Sequence, residues 1–390
     1  MQSRPPDPRT AVLDALRMAG PLTRLELSER TGLSRTTVSG LLTELSRRAL
    51  VGEVEVPVVS TGGRPAAPVA LRPAAGLAVG ADVGRTHVRV ALIDLGHQLL
   101  AERSEHLDVE AHPDEALDSA ARLVDAVLAE SGHRRADLVG VGLGVPAPLD
   151  GHGEVGASSI LPGWTGHRPA TELQQRLGVV VHSENDANLG ALAEALWGSG
   201  RGQRIVMHVK AATGVGAGIV VDGVLFRGAS GTAGELGHTT VREGGDICRC
   251  GNRGCLELQV GGPALLAQVR NSGLRVETIE QLIAKALDGD AAGRRVLLDA
   301  GDQLGLALVN AVNLLNPDVI VFGGELSSAG ELVLAPLKAR VQRAAITPAA
   351  AAVDVRMATL GNRAEALGAA LLVARELHRF DLAGFRARCA

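Results

Sequence analysis

The 390-residue sequence predicts an α/β fold, in which a body of two lobes follows a small domain of helices with a β-wing. Capped, amphipathic helix patterns fill the first 48 residues, and from residue 77 onward apolar strands flank glycine-rich turns. A second strand–glycine turn–strand pattern follows around residue 213. Because this type of turn occurs twice, we expect the body to contain one duplicated lobe.

The composition fits a cytoplasmic protein with more than one core. Apolar residues make up 46% of the chain, but aromatic residues are only 2% and tyrosine is absent, so the cores must consist of alanine, valine and leucine. There is no run of about 20 apolar residues and no leader-like start, and we therefore expect no membrane contact. Four cysteines, three of them in one compact pattern, fit a reducing compartment.

Charge is distributed unevenly along the chain. Residues 1–72 hold ten arginines and seven acidic residues, whereas the whole chain has a formal net charge of −4. A basic end on an acidic body suggests that the N-terminal domain meets a polyanion.

The first 48 residues read as three helices. Residues 10–20 form the first, which Gly20-Pro21 ends, and Thr23 with Glu26 forms a capping box for the second. The second helix ends at Thr31-Gly32, and Ser34 caps a third helix with one apolar stripe, made of Val38, Leu41, Leu42 and Leu45. Two short helices, a glycine turn and a longer helix are typical of a helix-turn-helix.

The start of the third helix carries the candidate DNA contacts. A recognition helix meets base edges and phosphates with its N-terminal residues, so short hydrogen-bonding side chains and arginine are expected there. The residues that fit are Ser34, Arg35, Thr36, Thr37 and Ser39. The alternative is a small helical bundle that contacts protein.

A β-wing is expected after these helices. Residues 51–59 predict one strand, residues 69–71 a returning strand, and Ser-Thr-Gly-Gly-Arg-Pro at 60–65 the turn between them. Arg64 in that turn is placed to reach a phosphate or a narrow minor groove. The alternative is that the turn is a plain linker. We assign residues 1–72 to a winged helix-turn-helix domain and residues 73–76 to a linker.

The segment from Gly234 to Glu257 predicts a metal site. His238, Cys248, Cys250 and Cys255 supply one imidazole and three thiolates, the ligands that tetrahedral zinc prefers. Four protein ligands leave no position for water, so the zinc of loop 238–255 is expected to be structural. The alternative is a set of buried or disulfide-bonded cysteines beside an unrelated histidine.

Two carboxylates flank the predicted metal loop, Glu235 before His238 and Glu257 after Cys255. This arrangement resembles the zinc and sugar signature of the ROK family (repressors, open reading frames and sugar kinases). The resemblance implies that the histidine binds zinc through one ring nitrogen and that Glu235, His238 and Glu257 face a bound sugar.

Three glycine-rich turns resemble nucleotide loops of the actin-like ATPase superfamily, whose lobes are ribonuclease-H-like. Asp82, Gly84 and Thr86 match the first phosphate motif, Thr213 and Gly214 the second, and Gly323 and Gly324 the adenosine loop. Two positions depart from the kinase pattern, since Arg85 and Ala212 stand where ROK kinases usually have glycine. Arg85 would either crowd a nucleotide phosphate or form a salt bridge to Asp82.

A buried strand over residues 179–183 leads into Asn185 and Asp186. At the carboxyl end of a strand such side chains meet ligands. In ROK kinases the aspartate of Asn-Asp-Ala is the general base for the sugar hydroxyl, so Asp186 is catalytic if the chain is an active kinase. Asn185 would both donate to and accept from sugar hydroxyls. The alternative is that the pair merely caps a helix.

The resemblance divides the body into lobe 1, residues 77–187 completed by a C-terminal helix over 363–390, and lobe 2, residues 188–362. A winged helix distinguishes ROK repressors from ROK kinases. We therefore expect a sugar-responsive regulator of carbohydrate uptake or catabolism genes, with repression favoured, that binds a palindromic double-stranded DNA operator as a homodimer or homotetramer. The alternatives are an ATP-dependent sugar kinase with an appended DNA-binding domain, and a protein sequestered by a sugar-transport component.

Overall fold

The computed structural model describes residues 7–47, 50–54, 67–72, 76–150, 153–155 and 161–375. Its helices are α1 Pro8–Ala19, α2 Arg24–Thr31, α3 Arg35–Arg47, α4 Pro113–Glu130, α5 Pro169–Leu177, α6 Asp186–Leu196, α7 Glu257–Val260, α8 Gly262–Arg270, α9 Ile279–Leu287, α10 Ala291–Leu315, α11 Glu331–Ala344, α12 Thr347–Ala352 and α13 Ala364–Arg375. Its strands are β1 Val51–Glu53, β2 Val69–Leu71, β3 Leu77–Val83, β4 His87–Asp94, β5 Leu99–His106, β6 Leu138–Val145, β7 Val181–Asn185, β8 Ile205–Ala211, β9 Val215–Val221, β10 Val224–Leu225, β11 Val319–Gly323 and β12 Asp354–Met357.

The described part of the N-terminal domain contains three helices and a two-stranded antiparallel sheet of β1 and β2. The capping box of α2 forms, with Glu26 accepting from the backbone and hydroxyl of Thr23, and Gly32 ends the helix in a left-handed conformation. Strand β1 covers the start of the first predicted wing strand, β2 coincides with the predicted returning strand, and residues 55–59 lie outside the described residues. The predicted turn at 60–65, with Arg64, lies outside the described residues.

The body is a duplicated α/β lobe, as the recurrence of the glycine turn predicted. Among the described residues, one five-stranded sheet has the order β5-β4-β3-β6-β7 and the other has the order β10-β9-β8-β11-β12. In each sheet the first three strands of the lobe are antiparallel and the remaining two run parallel to the central strand. The predicted boundary at residue 187 falls in the first turn of α6, the helix that follows the first sheet.

Helix α13 is the part of the predicted C-terminal helix that the structure describes, and residues 376–390 lie outside it. All 12 of its residues are buried. It crosses the first sheet so closely that a Cβ on Gly80 or Gly142 would lie 1.8 Å or 2.1 Å from a backbone oxygen of α13. On its other side Gly368 lies against α6, where an added Cβ would be 1.9 Å from the carbonyl oxygen of Leu189. Glycine is therefore required at these backbone-to-backbone contacts.

The N-terminal domain shares one hydrophobic core with the body. Val12, Leu13 and Leu16 of α1 belong to the same apolar cluster as Leu95, next to β4, and Val373 of α13. Within the described ranges, no helix combines the length and the apolar character that a membrane crossing requires.

Replacing Gly368 with alanine should destabilise the protein by about 1–3 kcal/mol, because the added methyl group overpacks a backbone contact that cannot relax. The measurement is urea unfolding monitored by circular dichroism. Gly40→Ala is the matched control, since Gly40 is exposed inside α3 with open space around it, and this change should be neutral or stabilising by up to ~1 kcal/mol. Equal unfolding midpoints for the two variants would contradict the packing argument.

Candidate functional site

A cleft between the two sheets gathers most of the residues singled out from the sequence. It is lined by the five predicted sugar contacts and by parts of both phosphate-type turns, namely Asn185, Asp186, Glu235, His238, Glu257, Gly84, Thr86, Thr213 and Gly214. Gly323 and Gly324 pack instead against β8, beside His208 and Ala211 respectively. The cleft also contains Arg85, His87, Lys210 and Glu325.

The four predicted metal ligands converge at the edge of the cleft. One potential ligand atom from each of His238, Cys248, Cys250 and Cys255 lies within 4.8 Å of the others. Nδ1 of His238 is 3.6 Å from Sγ of Cys248, and the Sγ atoms of Cys250 and Cys255 are 3.7 Å apart. All three cysteines are free, so the disulfide alternative is wrong for them. This group of donors can hold a metal ion.

His238 connects this cluster to the cleft. Its Nδ1 atom faces the cysteines, while its Nε2 atom is 3.9 Å from Oε2 of Glu235. Burial, and then the nearby carboxylates of Asp186 and Glu257, raise the pKa of Glu235 to about 7. Glu257, the first residue of α7, accepts a hydrogen bond from the backbone amide of Val215 at 3.1 Å. Glu235 thus lies beside the metal-ligand candidate His238, and Glu257 is held by the second glycine turn.

Asn185 has a role in the backbone that limits what it can offer a ligand. Its Oδ1 atom accepts from the amides of Ala187 and Asn188 at 3.0 and 3.2 Å and so caps α6. Its Nδ2 atom donates to the carbonyl oxygen of Ala147 at 3.5 Å. The expectation that Asn185 both donates to and accepts from a sugar therefore needs correction, because its acceptor is already used by the helix.

Lys210 is the important site residue that the sequence analysis missed. Its Nζ atom lies 2.8 Å from Oδ2 of Asp186 and 3.0 Å from Oε1 of Glu365, a residue of α13. Although burial lowers the pKa of Lys210, the carboxylates of Asp186, Glu365 and Asp82 raise it well above its ordinary value. The one available signal was composition, since lysine occurs elsewhere only at 285 and 338 in an arginine-rich chain.

The ion pair changes what Asp186 can do chemically. One carboxylate oxygen is held by the ammonium of Lys210, and the other accepts from the backbone amide of Ala187 at 2.8 Å. Both oxygens of the carboxylate thus already have a hydrogen-bonding partner within the protein. It can still accept a hydrogen bond from a sugar hydroxyl.

The first phosphate-type turn is also filled by side chains. Asp82 is completely buried and its Oδ2 atom lies 2.9 Å from Nε2 of His87. Arg85 pairs with Glu110 at 3.5 Å, and Glu110 pairs with Arg249 of the metal loop at the same distance. Arg85 was expected either to crowd a nucleotide phosphate or to form a salt bridge to Asp82; in the structure it pairs with Glu110, while Asp82 pairs with His87. Arg85, Glu110 and Arg249 link the first lobe to the metal loop.

The candidate DNA contacts are exposed at the start of α3, whereas the apolar residues of the same helix are buried in the core. Arg35, Thr36 and Ser39 are exposed on the first turns of α3, as are Ser34 and Thr37. The Ser34 hydroxyl accepts from the backbone amide of Thr37 at 3.1 Å and shares a hydrogen bond with its hydroxyl at 2.8 Å. Ser34 therefore caps α3, and Arg35, Thr36 and Ser39 remain the side chains directed to solvent.

Two actin-like lobes with a cleft between them define the fold class of this protein, and similarity to known proteins defines its family. The sequence profile of the ROK family matches residues 78–376, so the chain belongs to the ROK family. The xylose repressor of Bacillus subtilis (strain 168) is 28% identical over 353 residues, which cover 90% of this chain and 91% of the repressor.

Solved structures show the same architecture. A ROK family transcriptional regulator, described as a homologue of the E. coli MLC protein, superposes with a TM-score of 0.79 at 24% identity, covering 96% of this chain and 97% of its own. A ROK family glucokinase from Streptomyces griseus, solved with glucose and AMPPNP, superposes with a TM-score of 0.67 at 28% identity, covering 76% of this chain and 99% of the kinase. The kinase therefore matches only about three quarters of this chain, whereas the regulator matches nearly all of it.

Replacing Lys210 with methionine should destabilise the protein by about 3–5 kcal/mol, because Asp186 and Glu365 then remain buried next to each other without a cation. Chemical unfolding measures the loss. The control is Lys285→Met, a change of the same chemistry on the exposed face of α9, which should alter stability by less than about 0.5 kcal/mol. A small loss in Lys210→Met would mean that the two carboxylates do not depend on this lysine.

Proposed function

We propose that this protein is a sugar-responsive, DNA-binding transcriptional regulator, acting as a repressor of carbohydrate uptake or catabolism genes that a sugar or sugar derivative releases from its operator. The observation that carries the proposal is the exposed start of α3, on a domain that shares one core with a ROK body. The similarity to the xylose repressor, which spans both parts of the chain, supports it. The activity is assigned to the cytoplasm.

The DNA-binding part of the proposal rests on residues 1–72 as a winged helix-turn-helix, joined by a linker at 73–76 to lobe 1 (77–187 with the C-terminal helix) and lobe 2 (188–362). Helix α3 would enter the major groove, with Arg35, Thr36 and Ser39 toward the bases and the Ser34–Thr37 cap near a phosphate. Arg64 of the wing would contact the backbone or minor groove. Two such domains on a homodimer, or on a homotetramer built from dimers, would require a palindromic operator.

Replacing Arg35 with alanine should weaken operator binding by about 1–3 kcal/mol if its guanidinium contacts a base. Arg64→Ala should weaken binding to all sequences and reduce the salt dependence, because it removes a phosphate contact. Mobility-shift titrations on a duplex selected from a random library by the wild-type protein provide the measurement. Arg295→Ala, on the exposed face of α10, is the control. Wild-type affinity in both the Arg35 and the Arg64 variant would rule out this DNA-binding surface.

We further propose that the metal is a structural Zn²⁺ held by His238, Cys248, Cys250 and Cys255. The support is the donor set, one imidazole and three thiolates within 4.8 Å, which matches the closed tetrahedral coordination of structural zinc. Such an ion would fix the ring of His238 through Nδ1 and so orient Nε2 toward the sugar side of the cleft.

Elemental analysis of the purified wild type should find about one zinc per chain. Cys250→Ser should lose the metal and weaken sugar binding together, because the loop that carries Glu257 and His238 is no longer held in place. Cys389→Ser provides the control, since it removes the fourth cysteine of the sequence and should retain the zinc. A folded wild-type protein that binds sugar without metal would contradict the assignment.

The sugar part of the proposal uses the acidic side of the cleft. Glu235, His238, Glu257 and Asp186 would accept from or donate to sugar hydroxyls, and Asn185 would contribute its amide group as a donor. Charge-assisted hydrogen bonds of this kind are each worth roughly 1.5–3 kcal/mol. Because Lys210 already holds Asp186, the carboxylate serves here to bind the hydroxyl more than to remove its proton.

Replacing Asp186 with asparagine should weaken sugar binding by roughly 1.5–3 kcal/mol, because a charge-assisted hydrogen bond is lost, while DNA affinity without sugar stays near normal. Calorimetry with D-xylose, D-glucose and N-acetyl-D-glucosamine identifies the ligand and measures the loss. Operator release by the same sugar should require a correspondingly higher concentration. Unchanged sugar affinity would remove Asp186 from the binding site.

An ATP-dependent sugar kinase with an appended DNA-binding domain is the second candidate, and Asp186 at the cleft together with the similarity to a glucokinase favours it. The pairs Lys210–Asp186 and Arg85–Glu110, with Ala212 in the second turn, argue against turnover. A coupled assay for sugar-dependent ATP hydrolysis separates the candidates. Robust phosphorylation by the wild type, abolished in Asp186→Asn, would establish the kinase.

A further inference from the structure

The N-terminal domain is attached to both lobes through a cluster of charged side chains, which we call the junction: Asp14 and Arg17 of α1, and Arg375 at the end of α13. Arg17 donates through Nε to the carbonyl oxygen of Leu95 at 3.2 Å and through Nη2 to that of Ala374 at 2.9 Å. Leu95 follows β4 of the first sheet. These bonds therefore tie α1 to lobe 1.

Arg375 makes the corresponding connection to lobe 2. Its Nη1 atom donates to the carbonyl oxygen of Gly223, in the turn between β9 and β10 of the second sheet, at 2.6 Å. Its Nη2 atom lies 2.7 Å from Oδ2 of Asp14. The same carboxylate pairs through Oδ1 with Arg17 at 2.9 Å. Asp14 of the N-terminal domain thus pairs with both arginines. Arg17 contacts lobe 1, and Arg375 contacts lobe 2.

The two arginines of the junction are desolvated, so their hydrogen bonds are sensitive to geometry. The side chains of Arg17 and Arg375 are 5% and 10% exposed. Burial, opposed by Asp14, lowers the pKa of Arg17, and burial together with the two guanidinium groups lowers the pKa of the neighbouring His97 to about 2. His97 therefore stays neutral, and Asp14 supplies the negative charge that balances the two arginines.

Helix α13 connects the junction to the sugar cleft. Its second residue, Glu365, shares Lys210 with Asp186, and its last residue is Arg375. The helix has 12 residues, so its two ends are about 17 Å apart at a rise of 1.5 Å per residue. Because Gly80, Gly142 and Gly368 place its backbone in direct contact with the first sheet and with α6, the helix cannot slide independently of them.

We propose that the junction of Asp14, Arg17 and Arg375 couples the cleft to the DNA-binding domain, with Arg17 and Arg375 as positioning residues that hold α1 against both lobes at once. The proposal rests on the proposed function and concerns the regulation of the same site. A ligand that favours a different arrangement of the lobes changes the distance between the carbonyl groups of Leu95 and Gly223, and the junction then loses one of its two attachments. The N-terminal domain is released from its present orientation, and operator affinity falls.

The first experiment tests whether the junction holds the domain, and it needs no ligand. Amide hydrogen exchange is measured by mass spectrometry on the full-length chain. Arg17→Gln and Arg375→Gln should each accelerate exchange in α1 by about tenfold or more and leave exchange in α10 unchanged. In the wild type, local opening of α1 must first break the bonds of the junction, and in the variants part of this cost is absent. Asp14→Asn keeps the size of the side chain, removes its charge and should act in the same direction. Arg295→Gln is the control, because the side chain of Arg295 is exposed on the surface of α10. Wild-type exchange of α1 in all three junction variants overturns the proposal.

The second experiment tests coupling. The ratio of operator Kd values with and without saturating D-xylose, D-glucose or N-acetyl-D-glucosamine is measured for the wild type, Arg375→Gln and Arg295→Gln, on the operator duplex selected by the wild type. In Arg375→Gln the ratio should fall toward 1 by about fivefold or more, while the Kd for the sugar alone, from calorimetry, stays within about twofold. If Arg375→Gln shows the same ratio of operator Kd values as the wild type, the proposal is overturned, even if amide hydrogen exchange in α1 is faster in this variant. A ratio of 1 in the wild type with all three sugars contradicts the proposed function itself, and the exchange experiment then decides on the junction alone.

Discussion

The close packing of α13 is the constraint on which the rest of the structure depends. A helix whose backbone touches a sheet at Gly80 and Gly142, and a second helix at Gly368, has almost no freedom of position. This placement brings Glu365 to Lys210 below the cleft and Arg375 to α1 of the N-terminal domain. The body, the cleft and the N-terminal domain are thus built around one buried helix.

Buried charges at both ends of α13 are paired, as burial requires. An unpaired ion in the interior costs several kcal/mol, and a pair is tolerated when geometry and additional hydrogen bonds compensate. At the cleft one ammonium lies between two carboxylates, and at the junction one carboxylate lies between two guanidinium groups. Each of these two charge clusters favours a single geometry. If one charged group moves away, its partner remains buried without a counter-charge.

The cleft combines two glycine turns that resemble phosphate motifs with charged side chains that are paired to each other. Asp186 lies where the family resemblance places a base, and its Oδ2 atom is paired with Nζ of Lys210 at 2.8 Å. Arg85, which stands at a position usually held by glycine, reaches across to Glu110, and Glu110 reaches Arg249 of the metal loop. These contacts support the proposal made above that the cleft binds a sugar as a regulatory ligand.

What the sequence determined by itself was the set of features encoded by neighbouring residues. The capping box of Thr23 and Glu26 depends on a spacing of three residues, the cysteines and His238 occupy one short loop, and the glycine turns follow from local backbone freedom. Together with the strand patterns, these signals predicted the duplicated lobe and many of the residues that line the cleft, although not Lys210. They left open whether Asn185 binds a ligand or caps a helix, because both roles use the same local pattern.

Only the tertiary structure decided which charges meet. Lys210 lies in an ordinary strand, and its pairing with Asp186 and Glu365 depends on how α6 and α13 pack on the two sheets. Asp14 and Arg375 are separated by 361 residues, and no local pattern connects them. The sequence suggested Asp82 as a partner for Arg85, whereas the folded chain pairs Arg85 with Glu110, a residue that no sequence pattern singled out. Long-range electrostatic contacts follow from the folded geometry, because they depend on distances in space that neither composition nor periodicity encodes.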